Sequence, residues 1–201
     1  MSELLAFLQV GFHHIVALDA ADHILFLLVL AAIYRGHDWR SALWVISAFT
    51  VGHSVTLALA VTNVLAVRPA IIEFLIPVTI VLTGIENLVL RERAASGSGA
   101  RHRPVFAAVF GLVHGAGFAG YLKSLFVERI AVPLLGFNIG IELGQIVVLL
   151  AAAAVFWVVD RSVARVSRHA TVLQPFQLRL VGVSALVTIV ATGWAWQRWP
   201  G

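Results

Sequence analysis

The chain has 201 residues, of which 60% are hydrophobic and 12% charged, whereas a soluble domain carries roughly 25% charged residues. That balance excludes an ordinary water-soluble fold and points to a bilayer as the solvent. The lack of cysteine excludes disulfides, zinc–thiolate sites, iron–sulfur clusters and cysteine nucleophiles; the net charge of +4 comes almost entirely from arginines set between apolar runs, which read as topology signals rather than as a nucleic-acid-binding face.

Apolar runs cover residues 4–34, 41–64, 69–90, 105–125, 134–159 and 178–196, each long enough to span. The first would reach about 45 Å as one straight helix, at about 1.5 Å per residue, and it contains Asp19 and Asp22. It reads as a short N-terminal helix or re-entrant piece, a break near Asp19, then a full span. The predicted fold is all-α: a polytopic transmembrane helix bundle of six spans plus a broken or re-entrant N-terminal helix, with seven spans as the alternative. Residues 1–201 form a single integral membrane domain.

Loops are expected at 35–40, 62–68, 91–104, 126–133 and 160–177. Segment 91–104, with Ser-Gly-Ser-Gly and four arginines, reads as a flexible cytoplasmic linker between the third and fourth spans. Alternate loops are basic. One side holds Arg35, Arg40, Arg91, Arg93, Arg101, Arg103, Arg161, Arg165, Arg168 and Arg179; the other holds only Arg68, Lys123, Arg129 and Arg198. The positive-inside rule assigns the first set to the cytoplasm, which leaves both termini outside for six spans. The first basic residue is Arg35, so the basic start of a cleavable signal peptide is missing and the first segment is expected to be kept. Trp194, Trp196 and Trp199 read as an interfacial belt. No internal repeat stands out.

Ionisable side chains in hydrocarbon cost about 2.5–3.5 kcal/mol each on insertion scales and are functional by default. The runs nevertheless contain His13, His14, Asp19, Asp22, His23, His53, Glu73, Glu86, His114 and Glu142. Helical periodicity puts Asp19, Asp22 and His23 on one face, and Asn138, Glu142 and Gln145 on another. Thr50 and Thr56 flank His53 as candidate supporting hydroxyls. By position in the runs, His53 and His114 lie mid-span, Asp22, His23, Glu73 and Glu142 toward the outer side, and Glu86 with Asn87 toward the cytoplasm. Imidazole with carboxylate suits nickel, cobalt, zinc, copper or iron. The expected metal ligands are therefore His14, Asp22, His23, His53, His114 and Glu142, supported by Asp19, Glu73, Glu86, Asn87, Asn138, Gln145 and Thr50. Blander roles compete. His37, His102 and His169 read as solvated loop residues, Glu73 as a wet surface acid, the glycines of the fifth span as packing, and His53 or His114 taken alone as an interhelical hydrogen bond.

The order His14-Ile15, Asp22-His-Ile-Leu-Phe-Leu-Leu28, Ala48-Phe-Thr-x-x-His53-Ser-x-Thr-Leu57, Glu86-Asn87, Phe110-Gly-Leu-x-His114-Gly-x-Gly-Phe-Ala119 and Phe137-Asn-x-Gly-x-Glu142-x-Gly-Gln145 resembles the HupE/UreJ family of bacterial membrane proteins, particularly its second branch, from about residue 11 to residue 150. The resemblance implies a bacterial inner-membrane protein linked to nickel supply for hydrogenase and urease; the expected partners are the lipid bilayer, the metal ion, and a second copy of the chain or metalloenzyme-maturation proteins. The Asp22-His23 pair also resembles the His-x4-Asp-His signature of nickel/cobalt permeases. Here His14 and Asp22 are eight apart, and Ala20 stands where that pattern has histidine. The first functional reading is a permease for a divalent transition-metal ion. The second is an intramembrane metal-dependent enzyme, a hydrolase or oxidase of a lipid-like substrate. The third is a metal-free proton-relay or assembly subunit. No P-loop, nucleotide fingerprint or Ser-His-Asp context is present.

Overall fold

The computed structural model describes residues 2–66, 68–90, 102–125, 130–166 and 174–200. The described secondary structure is helical throughout: α1 (Glu3–Val16), α2 (Ala21–Ala31), α3 (Trp39–Val61), α4 (Pro69–Val89), α5 (Arg103–Leu125), α6 (Ala131–Val166) and α7 (Pro175–Gln197), with short 3-10 turns at Leu18–Ala20 and Gly36–Asp38. Among the described residues, five helices are long and apolar enough to cross a membrane, and the bent pair α1–α2 makes six if it counts as one span. The all-α polytopic bundle expected from the apolar runs is the fold observed, and this is a membrane protein.

The first apolar run breaks where Asp19 and Asp22 interrupt it. Ala17 is extended, a 3-10 turn follows, and α2 leaves at 67° to α1. The second piece differs from the full span expected there: α2 has 11 residues, about 16 Å of helix, roughly half a hydrocarbon core. α1, with 14 residues, supplies the other half. The loop expected at 160–177 is partly helix, since α6 runs 36 residues to Val166. The linker 91–104 lies outside the described residues up to 101, and its end already belongs to α5.

The helices pack chiefly as α1 with α6, α3 with α5 and α4 with α7, and α2 touches α4, α6 and α7. Glycine makes the first two pairings possible. A Cβ on Gly11 would overlap the Phe137 carbonyl of α6, and one on Gly140 the Leu8 carbonyl of α1. A Cβ on Gly111 would overlap the Phe49 carbonyl of α3, and one on Gly52 the Ala108 carbonyl of α5. Lipid gives helices little hydrophobic reason to associate, so close backbone approach through small residues supplies the packing. The outward faces stay apolar and exposed, as at Leu82, Ile85, Val105, Val109, Leu143, Val147, Leu186 and Ile189.

Polar contacts gather at one end of the bundle. Arg179 of α7 donates to Asp160 of α6 at 2.6 Å and to the Tyr34 carbonyl at 3.1 Å, past the last turn of α2 where carbonyls run out of intrahelical partners. Asn87 of α4 donates to the Val29 carbonyl at 2.7 Å and to Ser184 at 3.2 Å, and accepts from Arg103 at 3.0 Å. Glu86 meets His102 at 2.6 Å and Arg103 at 3.4 Å. Arg35, Arg103 and Arg179 share this basic end. Glu73, Tyr121 and Arg198 line a cavity at the opposite end.

The glycine contacts generate a test. Gly111→Leu should lower the detergent melting temperature, at a cost of about 1–3 kcal/mol or more for forced overpacking, because the Phe49 backbone stands in the way. Gly120→Leu should leave the melt nearly unchanged, since a Cβ there meets nothing within 4 Å. Equal melts for the two variants would show that the α3–α5 approach is not what holds the bundle.

Candidate metal centre

The break between α1 and α2 sets the site's depth. α1 ends by turning the negative end of its dipole toward the gap, an arrangement favourable to a cation. α2 begins at the gap with Asp22 and His23 in its first turn. Asp22 Oδ1 accepts from the His23 backbone N–H at 2.9 Å and lies 3.0 Å from His23 Nδ1. The carboxylate thus holds the ring proton on Nδ1, leaving a lone pair on Nε2. His23 is 5% exposed, and its Nε2 has no hydrogen-bond partner. This carboxylate–imidazole pairing is the usual support behind a metal-binding histidine.

His14 comes from the last turn of α1. Its ring lies 3.8 Å from Phe118 and 5.8 Å from Phe137, centroid to centroid, and 4.6 Å from His23. His53, in the middle of α3, is fully buried, 6.1 Å from His14 and 6.4 Å from His23. Neither of its ring nitrogens has a hydrogen-bond partner, and His14 Nε2 has none. One donor nitrogen each from His14, His23 and His53 can be chosen so that all three lie within 4.8 Å of one another. Nitrogens bound at about 2.0–2.1 Å to a four-coordinate ion lie roughly 3.3 Å apart, so small side-chain movements would close the three rings on a cation.

His114, from α5, stands beside this trio with its ring 5.2 Å from His23. Thr79 Oγ1 gives its one proton to the Ile76 carbonyl at 2.7 Å, so toward His114 Nε2, 3.1 Å away, it accepts. The His114 proton therefore sits on Nε2, and its buried Nδ1 keeps a free lone pair. Three imidazoles from three helices thus bring unpartnered nitrogens together, and the His114 ring, with an unpartnered Nδ1, stands next to His23. Buried polar groups are nearly always hydrogen-bonded, so this concentration of orphaned acceptors is the donor set a borderline-soft divalent cation takes.

A cavity of about 680 Å³ leads to the site from the end opposite the basic cluster, lined by His13, His14, Asp22, His23, His114, Glu73, Tyr121 and Arg198 among others. His53 lies behind its lining. Glu73 and His13 are exposed, as befits residues at its mouth.

Other expected site residues lie elsewhere. Glu142 accepts a hydrogen bond from Ser47 of α3. Ser47 is six residues nearer the start of α3 than His53, about 9 Å toward the basic end, so Glu142 lies on the basic-end side of His53. Thr50 Oγ1 lies 2.9 Å from Gln145 Oε1 and 3.1 Å from the Ile46 carbonyl, its one proton shared between the two acceptors, so Thr50 serves the α3–α6 contact and not the His53 ring. The Asn138 carboxamide oxygen is buried and has no hydrogen-bond partner. Asn87 and Glu86 belong to the basic-end network. His102, expected to be merely solvated, is tied to Glu86, while His37 is exposed beside Asp38. His169 and the side chain of Asp19 lie outside the described residues. The signal that sequence reasoning missed is a local echo: Gly11-x-x-His14 and Gly111-x-x-His114. In each, the glycine sits on a phenylalanine carbonyl of its partner helix, Phe137 or Phe49. The histidine one turn later packs beside that same phenylalanine ring.

No curated protein and no solved structure matches the chain. A family model described as HupE / UreJ protein matches residues 1–198. That match covers nearly the whole chain, which therefore belongs to the HupE/UreJ family.

Proposed function

We propose that the chain is a membrane permease for a divalent transition-metal ion, with nickel the first choice because of the family. The observation that carries this reading is the meeting of buried, unpartnered imidazole nitrogens from His14, His23 and His53 at a helix break, with a cavity reaching His14 and His23 from one end. Discontinuous helices framing a mid-depth site are a recurring device of secondary transporters. The ion enters the cavity past Glu73 and His13 and is bound by His14, His23 and His53, with His114 as the fourth nitrogen. Asp22 orients His23 and supplies negative charge to the ion. The arginine-rich end faces the cytoplasm of the inner membrane, and both termini face outward. Asn87, Arg103, Glu86 and Ser184 stand between the site and that end, where an inward step has to part them.

Equilibrium dialysis of the purified chain against nickel should find tight binding to the wild type. His23→Ala should weaken it by more than about 100-fold, and Asp22→Asn by about 10–100-fold, the usual cost of losing an orienting partner. Uptake into proteoliposomes should fall in the same order, with His37→Ala as the unaffected control. Wild-type binding without any uptake would turn the reading toward an intramembrane metal-dependent enzyme. No binding at all would remove the metal from it.

Glu142 offers a second test. Because it is held by Ser47 and stands apart from the three-histidine group, Glu142→Gln should leave most of the metal affinity in place in the same dialysis. A loss as large as that of His23→Ala would make Glu142 a ligand after all.

A further inference from the structure

The cavity is large for a free metal ion. It measures about 680 Å³. Clefts of about 300–1,000 Å³ are the size that holds small organic ligands. The lining is also divided by charge. His13, His14, Asp22 and His23 come from the α1–α2 junction, and Glu73 from α4. Arg198, just past the end of α7, lines the same cavity with a fixed positive charge. Its guanidinium carbon sits 5.5 Å from the Trp194 ring centroid, which limits where the side chain can swing. Beside the carboxylates of Asp22 and Glu73, which suit the metal, Arg198 adds a cationic guanidinium that a metal ion has no use for and that is the natural partner of a carboxylate.

Resting on the permease reading above, we infer that the cavity receives the metal as an anionic chelate with a small organic carboxylate rather than as the aqua ion. The chelate's free carboxylate meets Arg198 and its metal faces the imidazoles. Transfer to the site is ligand exchange without redox change: each metal–oxygen bond to the chelator is replaced by a metal–nitrogen bond to His14, His23 or His53. The chelator, keeping its electron pairs, returns to water from the Arg198 end. Arg198 is then a specificity residue for the cargo's carrier, distinct from the groups that bind the ion itself.

The experiment uses the full chain in proteoliposomes, supplied with radioactive nickel either as the chloride or as the one-to-one citrate complex, with a second label on the citrate. The wild type should bind citrate label only when nickel is present and should favour nickel citrate over the chloride. Arg198→Gln should lower the citrate-to-chloride uptake ratio by roughly tenfold, the scale of a lost charge-assisted pair. Arg198→Lys, which keeps the charge, should restore part of that ratio and guards against a merely misfolded variant. An unchanged ratio in Arg198→Gln, or citrate that only withholds nickel from the wild type, would overturn the inference and leave the permease reading standing. Uptake of neither form by the wild type would defeat both.

Discussion

Several imidazole nitrogens lie deep in an apolar bundle with nothing to hydrogen-bond, and this unfavourable burial is the constraint around which the structure is arranged. Each unsatisfied buried acceptor costs about 1–3 kcal/mol relative to a satisfied one. His14, His23, His53 and His114 carry such nitrogens close together. A fold selected for stability alone would spread them out or pair them with hydroxyls, as Ser47 is paired with Glu142 and Thr50 with Gln145 elsewhere in the same bundle. Together these nitrogens are a donor set that a cation with several open positions could complete.

Two features of the backbone bring the imidazoles together. The first is the break in the opening span, which puts a helix end and a helix start at mid-depth and gives His14 and His23 rings 4.6 Å apart from opposite sides of the gap. The second is glycine-mediated contact. α1 lies against α6, and α3 against α5, closely enough that a single methyl group would strike a carbonyl oxygen. That approach narrows the interior until rings from four helices touch. Phe49, Phe118 and Phe137 fill the remaining space and hold the ring orientations.

The two ends of the bundle have different chemistry. At the basic end, Glu86, Asn87, Arg103, Asp160 and Arg179 bond to one another and to carbonyls in and just past the last turn of α2, although Arg103 Nη1, Asp160 Oδ1 and Arg179 Nε stay unpartnered. Here the polar groups serve as structural ties between helices. At the other end the polar groups line open space and meet water. The same residue types, acid and arginine and histidine, therefore act as fastening at one end and as lining at the other, and only their partners distinguish the roles.

Composition and apolar run length were enough to establish a helical membrane bundle, because only helices or closed barrels satisfy the backbone in lipid and these runs are long and without strand alternation. The positions of Asp19 and Asp22 were enough to place a break, since two acids seldom sit inside one continuous lipid-facing helix. His14, His23, His53 and His114 were legible as site candidates for the same reason: each is costly where it stands. Which of the polar residues meet was not legible. Periodicity assigns a residue to a face of its own helix but says nothing about the rotation of one helix against another, so Glu142 and Thr50 looked like site residues and turned out to face each other's helices. The orienting role of Asp22, the tautomer set on His114 by Thr79, and the cavity shared with Arg198 exist only once the glycine contacts have fixed how the helices are turned.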